Sequence, residues 1–216
     1  VAVRVNGRGT DDFPDDLKTA VEAGADAVAL PMVESGRDVR EAWAALSTLA
    51  DDPPPLRVTV ETPTGMHAGS EIAAACRETG VKSLAFGFAD YCKAIGSPGT
   101  PDRVRKRLEL LTVEYASMAG VDPVASVHLD IGDEDGLRRV AERARATGFV
   151  GMTAIHPAQV GVINEAFTPP DDEVAQARRL VEAFDASERD SLEVEGVFLD
   201  TAPVDRYRRL LERAPE

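Results

Sequence analysis

Glu61 closes the apolar run LRVTVE, and Asp90 ends LAFGFAD, so each carboxylate stands at or just past the end of a stretch that reads as a β-strand. If those strands run parallel, both acids project from one rim. Two carboxylates over a shared cavity, completed by water and substrate oxygens, suit Mg²⁺, a hard cation that keeps some of its waters. The other reading makes each a helix cap or the partner of an arginine. Zinc has less support, because His67, His128 and His156 are dispersed and no H-E-x-x-H or close Cys/His pair occurs. Arg4 ends the first strand-like run in RVN. An arginine there can bind a carboxylate bidentately and help neutralise an enolate, or can pair with a neighbouring strand's acid. Glu34, at the end of LPMVE, is similarly placed, either to orient Arg4 or to serve as an acid at a helix N-terminus. Asn6 offers a neutral polar partner in the same region or a turn-forming residue.

Lysine placement removes one mechanism. A Schiff-base aldolase needs a desolvated lysine inside its barrel. Lys18 and Lys106 read as helical and surface-facing, Lys82 starts its strand at the wrong rim, and Lys93 reads as a loop residue. Cys92 has no histidine base nearby in sequence, and Cys76 lies on an alanine-rich helix, so both read as packing residues. His156 ends a strand in TAIHPAQ, where it is either a structural hydrogen-bonding residue or a contact to substrate or cofactor. The Pro157 that follows can start a helix whose N-terminus suits an anion.

The elements that must position these residues alternate in type. Strands are expected over 1–6, 26–30, 56–61, 83–87, 124–129 and 150–155. Helices are expected over 14–23, 35–49, 68–79, 101–119 and 134–147, then 158–166, 171–187 and 204–213. Short apolar strands separated by helices imply a parallel sheet covered by helices, with polar strand ends forming the site. Six such units are fewer than the eight of a closed barrel. No G-x-G-x-x-G and no Walker A motif occurs, which weakens a dinucleotide fold or a P-loop enzyme.

With 216 residues the chain can bury one substantial core. Its 24 basic against 38 acidic residues, net −14, argue against a nonspecific nucleic-acid binder. Two cysteines cannot build a disulfide scaffold or a structural zinc set. No apolar run approaches a membrane span, and VAVRVNGRGT lacks the features of a secretory signal, so a cytoplasmic protein without membrane or nucleic-acid partners is expected. The absence of an initiator Met makes a fragment, a processed chain or a missing start the expectation.

Taken together, RVN (4–6), LPMVES (30–35), VETPTG (60–65), FGFADY (86–91), HLDIGDEDGL (128–137), GFVGMTAIHPAQVGVINEAFTPPDDEV (148–174) and ARRLVEAF (177–184) resemble the citrate lyase beta-subunit-like branch of the HpcH/HpaI aldolase family. That branch comprises CoA-ester lyases, malyl-CoA and citramalyl-CoA lyases among them. The resemblance runs over essentially the whole chain, and its IHPAQ segment is the most specific part. It implies an α/β fold of the (β/α)8 TIM-barrel type, with about six of eight strands in this chain. It further implies Mg²⁺ and cleavage or formation of a carbon–carbon bond beside a carboxylate or thioester carbonyl. The substrate would be a small 3-hydroxy acid or its CoA thioester. By motif, Arg4 becomes a catalytic and substrate-binding arginine, Glu61 and Asp90 the metal ligands, and Glu34 a supporting substrate-binding acid. GVFLDTAPVDRYRRLLERA resembles an arm that reaches a neighbouring subunit's site, which makes Asp205 a catalytic candidate in a homotrimer or higher homo-oligomer. The implied division is a partial barrel over 1–188 and an arm over 189–216.

Departures from the pattern favour a second expectation, a catalytically silent assembly subunit of the same fold. The two opening strands usual in the family, one SxLFVPG-like and one ending in DLED, are absent. Met32 stands where LPKVE has its lysine, and Met152 where GKxAIHP has one. The arm's usual DGxMxD reads DTAPVD, with Thr201 replacing glycine.

Overall fold

The computed structural model describes residues 1–99, 101–187, 189–212 and 214. The chain divides into two compact units, Val1–Ile163 and Asn164–Glu216. Apolar strands buried between helices build the first. Its sheet has six strands in sequence order: β1 (Ala2–Arg4), β2 (Ala27–Leu30), β3 (Leu56–Val60), β4 (Val81–Phe86), β5 (Asp122–Ala125) and β6 (Gly151–Met152). Every pairing between them is parallel. The sheet is a curled half-barrel of TIM type, so the expected fold class holds, and one rim carries all the strand ends.

Helices α1 (Phe13–Glu22), α2 (Gly36–Leu49), α3 (Pro63–His67), α4 (Gly69–Arg77), α5 (Phe88–Ala94), α6 (Asp102–Ala119) and α7 (Glu134–Thr147) cover it. Local chemistry sets their ends. Ser35 caps α2 by accepting from Asp38 N at 3.3 Å, and Asp133 caps α7 by accepting from Gly136 N at 2.9 Å. Gly148, at φ 116°, closes α7 in a conformation other residues rarely adopt. Leu17, Val39, Leu46, Ile72, Leu84 and Phe86 lie in the core, each at most 2% exposed.

Several expected boundaries move. The strand expected over 124–129 occupies 122–125, and the one over 150–155 pairs only at Gly151–Met152. Beyond Ala125 the chain leaves the ladder, and Ser126 Oγ accepts from Phe88 N at 3.1 Å instead. The helix expected over 68–79 is α4, at Gly69–Arg77, and an unexpected short helix, α3, precedes it because Thr62 and Pro63 start an earlier turn. Lys93, expected in a loop, lies in the last turn of α5. The expected helix end at Arg213 and the expected division at Glu188 fall outside the described residues.

Helix α8 (Ala158–Phe167) leads into the second unit. There α9 (Asp171–Asp185), a hairpin of β7 (Leu192–Val194) and β8 (Val197–Leu199), and α10 (Thr201–Glu212) surround Leu180, Leu199 and Val204. The hairpin sits in a stretch that the sequence marks only as turn-rich. Among the described residues no helix is long and apolar enough to cross a membrane.

One buried charge cluster ties α6 to α7. Glu109, 1% exposed, accepts from Arg143 at 3.2 and 3.3 Å, with Arg105 Nη1 4.0 Å away. Removing the acid leaves Arg105 without the carboxylate beside it and Arg143 with Asp102, 3.3 Å away, as its remaining acid. Glu109→Ala is therefore expected to lower stability by about 3–5 kcal/mol, read by urea denaturation. A loss below 1 kcal/mol would show that the cluster is not a structural tie.

Candidate metal and carboxylate site

Glu61 follows the last residue of β3, and its carboxylate is 7% exposed. Its Oε1 accepts from Met32 N at 3.2 Å. Met32 follows β2 with φ 56°, a left-handed conformation rare for a side-chain-bearing residue, and that turn aims its N–H at the acid. On the other side lies Gly87, whose N–H donates to Val60 O at 2.8 Å. A Cβ on Gly87 would stand 2.5 Å from Glu61 Oε2, so glycine leaves the space this carboxylate occupies.

Asp90 lies in the first turn of α5, exposed, and its carboxylate stands near enough to Glu61 to disfavour that residue's charge. Three contacts hold that turn. Besides the Gly87 and Ser126 bonds, the Arg105 guanidinium stacks 4.1 Å from the Phe88 ring centroid and donates to Val127 O at 3.1 Å.

Burial pushes the Glu61 carboxyl above its ordinary value. The Met32 N–H opposes this, the adjacent Asp90 carboxylate adds to it, and the charge of Arg4 opposes it weakly. A carboxyl raised on folding contributes stability that is full below the ordinary carboxylate pKa and is lost as pH climbs through its folded value. In metal-free protein, Glu61→Gln is thus expected to raise the melting temperature at pH 7 and to leave it unchanged at pH 4. Equal shifts at both pH values would remove the link to ionisation.

Arg4, at the end of β1, is exposed and makes no hydrogen bond or ion pair among the described residues. It lines a cleft of ≈ 560 Å³ with Asn6, Arg8, Met32, Glu34 and Asp38. Glu34 is held elsewhere, accepting from Thr62 Oγ1 at 2.6 Å, so no direct bond lets it orient Arg4. Thr62 also caps α3 through Gly65 N at 3.1 Å. Asn6 is engaged by α1, donating from both nitrogens to Asp16 Oδ2 at 2.8 Å.

The remaining sequence candidates have their own local surroundings. His156 is exposed, and its Nδ1 accepts from Ala158 N at 3.2 Å, a helix-start role. Cys76 and Cys92 are buried, and burial pushes the Cys76 thiol up to about 12 and raises that of Cys92. Asp205 belongs to the second unit, on α10, where it accepts from Arg208 Nη1 at 3.1 Å.

Some contributors escaped the sequence reading. Met32 N–H, Gly87, Ser126 and Thr62 act through backbone groups or across distant elements. Gln159, 2% exposed, accepts from Ile155 N and donates to His128 O, both at 3.0 Å, joining the rim loops after β5 and β6. Only its place in the IHPAQ segment could have marked it.

The donor set fits a hard divalent cation. It consists of two carboxylates, one buried and made room for by Gly87; among the described residues no group of three or more His, Cys, Asp or Glu could hold a metal ion, so any further ligands would be water or substrate oxygens.

Residues 1–157 match the family model of HpcH/HpaI aldolase/citrate lyase. The (3S)-malyl-CoA thioesterase of Cereibacter sphaeroides is 38% identical over 188 residues, covering 87% of this chain and 63% of its own. The chain thus spans less than two thirds of that relative's length. The citrate lyase beta subunit of Escherichia coli is 29% identical over 222 residues, covering 98% and 73%. Among solved structures, CitE of Mycobacterium tuberculosis, crystallised with magnesium, acetoacetate and coenzyme A, is 30% identical with a TM-score of 0.81, covering 100% of this chain and 78% of that one. The matched stretch contains Arg4, Glu61 and Asp90, and the chain belongs to the HpcH/HpaI aldolase/citrate lyase family.

Proposed function

We propose that the chain is a Mg²⁺-dependent carbon–carbon lyase acting on a 3-hydroxy acid or its CoA thioester. The observation that carries this reading is the neighbouring pair Glu61 and Asp90 on the same strand-end rim as Arg4, which makes no hydrogen bond or ion pair among the described residues. Glu61 and Asp90 hold the ion, with remaining positions left to water and substrate oxygens. A bound Mg²⁺ supplies Lewis-acid stabilisation of the negative charge that grows on substrate oxygens as the carbon–carbon bond breaks.

Arg4 takes the substrate carboxylate through its two-pronged guanidinium and offsets the same developing charge. Because Glu34 is occupied by Thr62, Arg4 stays available, and Glu34 borders the substrate as a wall of the cleft. In the cleavage direction the substrate hydroxyl loses its proton and becomes a carbonyl. The electrons of the broken bond pass to the carbon beside the thioester, and a proton delivered there completes the product.

Asp205 is the proposed proton carrier at that carbon, acting in a neighbouring subunit of a homotrimer or higher homo-oligomer. Subunit exchange tests it. Asp205→Asn and Arg4→Ala proteins, each strongly impaired alone, should regain activity in mixed oligomers, whereas no recovery despite verified exchange removes Asp205 from the site. A cytoplasmic location completes the proposal.

The 38% identity to a malyl-CoA thioesterase favours a second reading, hydrolysis of the thioester. Incubation with malyl-CoA and Mg²⁺ separates the two. A lyase releases glyoxylate and acetyl-CoA, and a thioesterase releases malate and free CoA. Formation of neither pair supports the silent assembly subunit.

A further inference from the structure

The charges around the cleft are unevenly paired. Two arginines line it, Arg4 and Arg8. Arg8 is committed, bonded to Asp38 at 2.8 Å and Glu41 at 2.5 Å, which leaves Arg4, among the described residues lining the cleft, as the one cation free to meet an anion. Glu34 and Asp38 line the same cleft, and Glu61 adjoins it through Met32 N. Met32 lines the cleft with Glu34 and Asp38 and reaches Glu61 through its N–H. Its Cβ stands 3.6 Å from where a Cβ on Gly7 would lie, its side chain is 49% exposed, and its N–H is bound to the Glu61 carboxylate. The left-handed turn at φ 56° thus brings an uncharged side chain to the cleft that Arg4 also lines, while its N–H reaches Glu61.

We propose that Met32 sets the substrate class. The oxo-acid fragment accepted by the site is a monocarboxylate, whose single carboxylate lies on Arg4 and whose uncharged end lies against Met32. A dicarboxylate would bring its second charge to a cleft wall of Met32 and Glu34 that adjoins Glu61, with no unpaired cation among the described residues to receive it. This rests on the reading of Glu61, Asp90 and Arg4 as the metal and carboxylate site, and it goes further by assigning specificity to a residue that need not touch the ion.

Pyruvate and oxaloacetate are a matched pair, differing by one carboxylate. Calorimetric titration of the full chain at saturating Mg²⁺ is expected to give at least roughly tenfold tighter binding of pyruvate than of freshly dissolved oxaloacetate. In Met32→Lys a cation stands at the wall, and the ratio should move toward oxaloacetate by about tenfold. Met32→Gly keeps the left-handed backbone without strain and adds no charge, so it should still prefer pyruvate. Equal or tighter binding of oxaloacetate by the native chain, or an unchanged ratio in Met32→Lys, overturns the proposal while leaving the metal site intact. Binding of neither acid with Mg²⁺ bound overturns the carboxylate site, and this inference with it.

Discussion

Glu61→Ala and Asp90→Ala proteins are expected to lose Mg²⁺-dependent turnover by roughly 10²–10³-fold or more, the range seen when one stabiliser of transition-state charge is removed. The two variants should differ in every other respect. Asp90 is exposed, so its loss should leave the melting temperature unchanged. Glu61 is buried and satisfies Met32 N–H, so Glu61→Ala leaves that donor unpaired and costs about 1–3 kcal/mol. Glu61→Gln retains the acceptor and separates the effects, with fold kept and metal response lost. Full Mg²⁺ stimulation in both alanine variants would remove the pair from the mechanism.

Arg4→Ala should lower kcat/KM by roughly 10²-fold, about the 3 kcal/mol of a charge-assisted bidentate contact. Arg4→Lys keeps the charge without the fork and should fall between. Arg4 is exposed, so neither change should alter unfolding. A pH profile adds a second readout, because Arg4 helps hold the Glu61 carboxyl down. Its removal raises that carboxyl further and shifts the acidic limb of the Mg²⁺-binding profile to higher pH. A kcat/KM within twofold of native in Arg4→Ala would show that the substrate carboxylate binds elsewhere.

The sheet was legible because each strand is an apolar run that ends in a polar residue at the rim, as in LRVTVE and LAFGFAD. The pairing order then followed from the alternation with helices. What escaped has specific causes. Phe88–Ala94 begins immediately after β4, and its Phe and Tyr look like a continuing strand, so the short helix carrying Asp90 was hidden. The hairpin turns at Glu195–Gly196, both at positive φ, but Glu is a poor signal for that geometry compared with Asn or Asp. For the site, Arg4, Glu34, Glu61 and Asp90 were visible as strand-end residues. Their differing fates were not, because the Thr62–Glu34 bond, the Met32 N–H on Glu61 and the room left by Gly87 join residues 26 to 29 positions apart. Periodicity carries no information about such contacts.

Mn²⁺ prefers the same oxygen-rich octahedral surroundings as Mg²⁺ and scatters X-rays anomalously. Crystals of the full chain grown with Mn²⁺ should show one strong anomalous peak between the Glu61 and Asp90 carboxylates, with oxygens at about 2.1–2.2 Å. Such a peak, lost in Glu61→Gln, is the expected result. A clear peak elsewhere, or none between these two acids at saturating Mn²⁺, would contradict a metal-assisted site on this rim.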